Sequence, residues 1–224
     1  MIRIFIGYDP RESIAYHVLS HSIIARASEP VSITPLSLSG LRSIFNRPRD
    51  PLQSTDFAFT RFLVPALCNY QGWALFMDCD MLMLDDVAKL WALRDYRCAV
   101  QVVKHDHKPV EYEKFLGSAQ THYARKNWSS VMLFNNPYCR SLSTEYVRSA
   151  KGLDLHQFAW LESDKQIGDL PSRWNHIVDY DHWRKDPSLL HYTIGGPWFE
   201  RYQDCAYSLE WRAERERMES LTAG

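Results

Sequence analysis

The sequence lacks an excess of one charge, a long apolar run and clustered cysteines. Its 26 basic and 27 acidic residues give a formal net charge of −1, so the composition does not indicate a nucleic-acid partner. No apolar run is long enough to span a bilayer, and no transmembrane segment is predicted. The five cysteines are scattered without CxxC spacing, which argues against a zinc cluster or a disulfide framework and favours the reducing cytoplasm.

The length and composition of the chain suit a single globular domain. The 224 residues are 46% hydrophobic and 24% charged, which is enough for one sizeable core, so we expect one domain over residues 1–224. The opening MIRIFIGY is too short for the hydrophobic core of a signal peptide and predicts a first strand instead.

Apolar runs alternate with helical patterns through the first half of the chain. Strands are predicted at 2–6, 31–38, 73–77, 96–103, 129–135, 167–170 and 189–192. Helices are predicted at 11–27, 56–70, 87–93, from 137 onward and over most of 198–220. This alternation implies an α/β fold with a mainly parallel sheet flanked by helices, whose ligands bind beyond the carboxyl ends of the strands.

Two aspartates, Asp78 and Asp80, follow the strongly apolar strand at 73–77. Because alternate residues of an extended chain share a face, both carboxylates can reach one hard cation such as Mg²⁺ or Mn²⁺. An isolated D-x-D is more often a solvated turn or a helix cap, but a position at the end of a buried strand favours a ligand pair. Asp9 also follows a strand, so it should lie at the same rim of the sheet.

Five sequence blocks, in order along nearly the whole chain, resemble the GT-A glycosyltransferases of family 8, the group of glycogenin and bacterial galactosyltransferases. These blocks are IRIFIGYDPRESIAYHVLSHSI, RFLVPAL with WALFMDCDMLMLDDVAKLW, NWSSVMLFN, DLHQFAWL with LPSRWN, and LHYTIGGPW. The resemblance implies a GT-A, Rossmann-like fold with a smaller acceptor-side region. It also implies a metal-dependent enzyme that moves a hexose from a nucleotide-diphospho-sugar, with UDP favoured, and with retention.

The same resemblance implies that Asp78, Asp80 and His191 hold Mn²⁺ or Mg²⁺, which bridges the two donor phosphates, and that Asp78 also touches the ribose. A cation there neutralises charge that grows on the diphosphate as the sugar leaves. A lone strand-end histidine is more often bonded to backbone, but the adjacent YTIGGPW favours a ligand role for His191.

Further donor-binding positions follow from the resemblance. Gly7, Tyr8 and Asp9 would contact the base and ribose, with Asp9 accepting from the uracil N3–H. Equally, Asp9 could simply cap the helix that begins near Arg11. Arg61 would brace an aspartate and contact the donor, or else it is a solvated helix charge.

The last block departs from the family pattern. Gly195 and Gly196 can bring backbone N–H groups close to a phosphate, or they form a plain turn before Pro197. Gly196 stands where the family has a phosphate-binding lysine. We therefore hypothesise that Lys126 or Arg125 supplies the missing positive charge.

Gln157 is the candidate residue for contact with the anomeric carbon of the donor sugar. The family carries Asp-Gln where this chain has His156 and Gln157, and the glutamine carbonyl there can stabilise a developing oxocarbenium ion. His156 replaces a sugar-binding aspartate, and Asp154 is the substitute carboxylate two residues upstream. Alternatively, all three are polar residues at the start of a helix.

Two other functions stay open. A nucleotide-sugar pyrophosphorylase would carry a glycine-rich, basic loop after the first strand, whereas GYDPRE has one glycine. A degenerate, non-catalytic nucleotide-sugar-binding module fits the missing lysine and the altered Asp-Gln. The acceptor, whether a glycan, a lipid-linked sugar or a protein, is not specified, and its site is expected in the polar stretches 104–127 and 176–187.

Overall fold

The strands in the described part of the chain form two sheets. The computed structural model describes residues 1–50, 53–106 and 124–220, so most of the predicted acceptor stretch 104–127 lies outside the described residues. The described strands are β1 (Ile2–Gly7), β2 (Val31–Leu36), β3 (Trp73–Met77), β4 (Met81–Met83), β5 (Val100–Val102), β6 (Val131–Asn135), β7 (Ile167–Asp169), β8 (His176–Ile177) and β9 (Leu189–His191).

The first and last helices are the long ones. The described α-helices are α1 (Ser13–Arg26), α2 (Leu38–Leu41), α3 (Val64–Leu67), α4 (Val87–Trp91), α5 (Thr144–Ser149), α6 (Gly152–His156) and α7 (Ser208–Ser220). Short 3₁₀ helices lie at Pro10–Glu12, Thr60–Leu63, Trp128–Ser130, Asn136–Tyr138, Asp164–Gln166, Ser172–Asn175 and Glu200–Tyr202. No helix in the described ranges has both the length and the hydropathy needed to cross a membrane.

The larger sheet has the strand order β2-β1-β3-β6-β5-β7. Strand β1 runs parallel to β2 and β3, and β5 runs parallel to β7, whereas β6 is antiparallel to both of its neighbours. Parallel pairs predominate and helices flank the sheet, so the predicted α/β class is confirmed. Every residue of β3 and β6 is buried, as expected for central strands covered on both faces.

The smaller sheet has the order β4-β9-β8, and it builds the rim that holds the predicted ligands. Strand β4 begins directly after Asp80, and its first residue Met81 pairs with His191, the last residue of β9. The prediction missed β4 because its apolar residues continue the run of β3 and carry no alternation of their own.

Several predicted elements are shorter than expected. The helix expected at 56–70 is a 3₁₀ turn followed by α3, because Pro65 lacks an N–H and fits only the first turn of a helix. Residues 129–130 form a 3₁₀ turn rather than strand, and the last helix begins at Ser208 instead of Trp198. Asp86 caps α4, since its side chain accepts from the Ala88 N–H.

Candidate metal and donor site

The D-x-D segment is fixed by backbone hydrogen bonds on both sides. The Asp78 N–H donates to the Ser130 carbonyl at 3.0 Å, and the Tyr192 N–H donates to the Asp80 carbonyl at 2.8 Å. These contacts place the segment between the start of β6 and the end of β9. As a result, one ligand atom each from Asp78, Asp80 and His191 lies within 4.8 Å of the others, and all three residues are buried.

This arrangement fits a divalent cation. Opposite ligands of an octahedral Mg²⁺ lie about 4.2 Å apart and adjacent ones roughly 3 Å apart, so small movements would bring the three side chains onto one ion. The His191 Nε2 lies 3.5 Å from the Asp80 Oδ1, which is long for a hydrogen bond but close to the spacing of two adjacent ligands. Two carboxylates and an imidazole suit Mn²⁺ or Mg²⁺.

Arg61 lies behind the site rather than in solvent. One of its guanidinium nitrogens is 2.8 Å from the Asp78 Oδ1 and donates to the Ser129 carbonyl at 2.9 Å. The guanidinium also lies near the rings of Phe57 and Phe76. Arg61 therefore braces an aspartate, which excludes its reading as a solvated helix charge, while its contact with a donor stays a prediction.

Asp9 is held by four donors. Its Oδ1 accepts from the backbone N–H and the Nε of Arg11 at 3.0 and 2.9 Å, and its Oδ2 accepts from the Arg11 Nη2 and the Asp56 N–H at 2.5 and 3.1 Å. A carboxylate has about four lone-pair sites, so all are used. The capping contact expected as the alternative is present, and a uracil N3–H would have to compete with these donors.

Gly7 and Gly196 allow aromatic rings to pack directly against the backbone near the site. A Cβ on Gly7 would lie 2.3 Å from the Phe57 ring, and one on Gly196 would lie 2.0 Å from the Trp198 ring. Gly195 has a φ of 148°, a conformation that side-chain-bearing residues rarely adopt. Tyr8 packs edge-on against Tyr16, at 5.3 Å between ring centroids. Base contacts by Gly7 and Tyr8, and phosphate contacts by Gly195 and Gly196, stay predictions.

The two candidates for the missing lysine differ in their surroundings. Arg125 donates to the backbone carbonyl of Gln157 at 2.7 Å and forms an ion pair with Asp164 at 2.6 Å. Its positive charge therefore already has partners within the protein. Lys126 is buried and precedes Asn127, whose carbonyl accepts from the Ser130 hydroxyl beside the D-x-D segment. Which of the two residues supplies the positive charge stays a prediction.

The three sugar-side candidates have different contacts. His156 forms a hydrogen bond of 2.7 Å through its Nδ1 with the Ser129 hydroxyl, and Ser129 in turn accepts from Arg61 through its carbonyl. Gln157 follows α6, and its backbone carbonyl is the acceptor for Arg125. Asp154 lies in α6. Burial raises the pKa of Tyr146, and the negative charge of Asp154 raises it further. The structure thus links His156 to the metal site, and catalytic roles for Gln157 and Asp154 stay predictions.

Sequence reasoning did not single out Asn175. Asn175 is fully buried, and its Oδ1 lies 3.0 Å from the Nδ1 of His191. The signal was present, since Asn175 ends the LPSRWN stretch that resembles a family block. Its contact with a histidine 16 residues away depends on tertiary structure and cannot be seen in a linear pattern.

Solved structures with the same architecture define the class of fold. The bifunctional glycosyltransferase WbbM aligns with a TM-score of 0.64 at 16% identity, over 95% of this chain and 51% of that one. The galactosyltransferase LgtC, in complex with donor and acceptor sugar analogs, aligns with 0.60 at 15% identity, over 96% of each chain. GlyE of Streptococcus pneumoniae TIGR4 aligns with 0.60 at 15% identity, over 96% of this chain and 60% of that one. The fold is therefore the GT-A fold, and the chain spans about half of the WbbM structure.

One similar protein shows the family. The chain is 47% identical over 223 residues to Protein CDI of Arabidopsis thaliana, and the match covers 96% of this chain and 86% of that protein. The chain therefore belongs to the family of Protein CDI. No family model matches it.

Proposed function

We propose that this protein is a metal-dependent glycosyltransferase that moves a hexose from a nucleotide-diphospho-sugar, with UDP favoured, to an acceptor, with retention. The observation that carries the proposal is the convergence of Asp78, Asp80 and His191 at the carboxyl end of β3 in a GT-A fold. The similar solved structures are those of glycosyltransferases, and their likeness supports the same class of reaction here. The scattered cysteines also favour a cytoplasmic location.

Asp78, Asp80 and His191 would hold Mn²⁺ or Mg²⁺. When bound, the cation would act as a Lewis acid that neutralises the charge left on the diphosphate as the sugar departs. Arg61 keeps the Asp78 carboxylate in place. Lys126 would add the positive charge that Gly196 cannot supply, and the backbone at Gly195 would approach the phosphates.

At the sugar, the Gln157 side-chain carbonyl would face the anomeric carbon, where it can stabilise a developing positive charge. His156 is anchored by Ser129 and would contact a sugar hydroxyl in place of the family aspartate, with Asp154 as the alternative carboxylate. The acceptor oxygen would bond to the anomeric carbon as the bond from that carbon to the diphosphate breaks, and an oxygen of the leaving diphosphate would take the proton from the acceptor hydroxyl.

A thermal-shift panel of UDP-, GDP- and ADP-sugars, each with and without Mn²⁺, tests the donor class. A donor present at 100 times its Kd stabilises the folded state by about 2.7 kcal/mol. For a chain of this size, that raises the melting temperature by roughly 5–10 °C. We expect this shift with UDP-sugars only when Mn²⁺ is present. The absence of a shift with every nucleotide sugar would overturn the proposal.

The second candidate is a non-catalytic nucleotide-sugar-binding module. It is favoured by Gly196 in the lysine position and His156 in the aspartate position. The two candidates separate in an assay of UDP-sugar hydrolysis with Mn²⁺. Hydrolysis that depends on Asp80 supports the transferase, whereas tight binding without any turnover supports the module.

A further inference from the structure

His191 has two ring nitrogens that face different groups. Its Nε2 lies 3.5 Å from the Asp80 Oδ1, on the side of the predicted cation. Its Nδ1 lies 3.0 Å from the Oδ1 of Asn175. Only an unprotonated ring nitrogen can bind a metal, so the partner of Nδ1 decides whether Nε2 is ready to do so.

The orientation of the Asn175 amide follows from its other contacts. Its Nδ2 donates to the Ser130 hydroxyl at 2.8 Å and lies 3.4 Å from the Asn127 carbonyl, which can only accept. The amide nitrogen must therefore face these two oxygens, and the amide oxygen must face His191. An amide oxygen cannot donate, so the proton between Asn175 and His191 is on Nδ1.

The same amide joins the two halves of the site. Ser130, which accepts from Asn175 through its hydroxyl, also accepts from the Asp78 N–H through its carbonyl. A continuous chain of hydrogen bonds therefore runs from His191 through Asn175 and Ser130 to the start of the D-x-D segment. Asn175 is fully buried, and the buried Trp174 anchors the 3₁₀ turn that carries it.

We propose that Asn175 is the positioning residue of the metal site. It keeps the proton of His191 on Nδ1, leaves the Nε2 lone pair directed at the cation, and fixes the imidazole relative to Asp78. The inference rests on the proposed metal-dependent function for the identity of the ligand, whereas the tautomer itself can be observed in the metal-free protein.

The first test is ¹⁵N NMR of the histidine rings in the metal-free, full chain at about pH 8, where a free imidazole is neutral. The His191 signals are assigned by their loss in His191→Ala. We expect the Nδ1–H tautomer in the wild type and in Asn175→Asp, which keeps an acceptor. Asn175→Leu removes the acceptor and should give a mixture of tautomers. A wild-type His191 protonated on Nε2 would overturn the inference.

The second test is Mn²⁺ affinity by calorimetry. Loss of a residue that orients a metal-bound histidine typically weakens binding roughly 10- to 100-fold, and we expect this for Asn175→Leu. Asn175→Asp should bind Mn²⁺ as well as or better than the wild type. Asn136→Leu is the matched control, because Asn136 is equally buried but donates to the Gln71 carbonyl and should leave the affinity unchanged.

The outcomes separate the two proposals. Unchanged Mn²⁺ affinity in Asn175→Leu, with tight binding in the wild type, would overturn the role of Asn175 and leave the proposed function intact. A wild type that does not bind Mn²⁺ would overturn the metal-dependent function, while NMR still reports the tautomer. If Asn175→Leu does not fold, the wild-type spectrum and Asn175→Asp decide the question.

Discussion

Two neighbouring strands of the large sheet are followed by aspartates, and these aspartates have different partners. Strands β1 and β3 run parallel, so Asp9 and Asp78 emerge at the same edge. At the end of β1 the Asp9 carboxylate accepts four hydrogen bonds, from Arg11 and from the Asp56 N–H. At the end of β3 the carboxylates of Asp78 and Asp80 converge with a histidine from the smaller sheet.

The comparison shows that the partners of a carboxylate, and not its position after a strand, indicate its role. Burial alone would raise the pKa of Asp9, but the hydrogen bonds from Arg11 and Asp56 outweigh burial, and the pKa lies below its ordinary value. Its charge is thus satisfied within the protein. We therefore propose that the end of β1 is a structural end and that the end of β3 is a metal-binding end, and each of the following variants tests this assignment.

The largest effect is expected for Asp80→Asn, which removes a charge from the metal-binding end while keeping its shape. Loss of charge stabilisation at the leaving group should lower turnover about 1,000-fold, or roughly 4 kcal/mol. UDP-sugar hydrolysis and Mn²⁺ calorimetry measure the change, and unfolding by heat serves as the control for stability. Full activity in this variant would contradict the assignment of Asp80.

Lys126→Met tests the hypothesis that Lys126 supplies the positive charge for the donor phosphates. Removing a cation that donates to a phosphate costs about 1.5–3 kcal/mol, so the affinity for UDP should fall roughly 10- to 100-fold. The control is Arg125→Met, since the Arg125 guanidinium contacts the Gln157 carbonyl and Asp164. Equal UDP affinity in the wild type and Lys126→Met, measured by calorimetry, would reject the hypothesis.

Asp9→Asn tests the structural end of the comparison. It weakens the charge-assisted hydrogen bonds with Arg11, so we expect a loss of about 2–3 kcal/mol in the free energy of unfolding. Mn²⁺ affinity should stay at the wild-type value. Denaturant unfolding and metal titration on the same sample provide both numbers, and a stable Asp9→Asn protein that no longer binds Mn²⁺ would reverse the assignment.

Gly7→Ala tests the packing at the end of β1. The new Cβ would lie 2.3 Å from the Phe57 ring, and overpacking of this kind costs about 2 kcal/mol in unfolding free energy. The matched control is Gly40→Ala, where the Cβ would meet no described atom within 4 Å. If Gly7→Ala is as stable as Gly40→Ala in denaturant unfolding, the Phe57 ring does not prevent a side chain at residue 7.

The smallest expected effect is a pH dependence at the structural end. Because the pKa of Asp9 is lowered in the folded state, the unfolded chain binds the proton more readily. The stability contributed by Asp9 is therefore present above its ordinary pKa of about 3.9 and is lost as the pH falls through the lowered value. Acid unfolding curves of the wild type and Asp9→Asn should converge at the acid end, and parallel curves would contradict this role.

Much of the metal-binding end could be predicted from the sequence, because a continuous apolar strand followed by two carboxylates is a local pattern. The structural end could not be assigned, since one donor to Asp9 is the N–H of Asp56, 47 residues away. The same limit applies to Asn175, which ends a 3₁₀ helix and whose partner His191 lies on strand β9. Strand β4 was missed because its three apolar residues directly extend the D-x-D region.

Crystals grown with MnCl₂ and UDP, measured at a wavelength where manganese scatters anomalously, test the central claim most directly. The account predicts one strong anomalous peak at about 2.0–2.3 Å from carboxylate oxygens of Asp78 and Asp80 and from the Nε2 of His191, with the diphosphate completing the coordination. A well-ordered UDP bound to the protein with no manganese at these three side chains would contradict it.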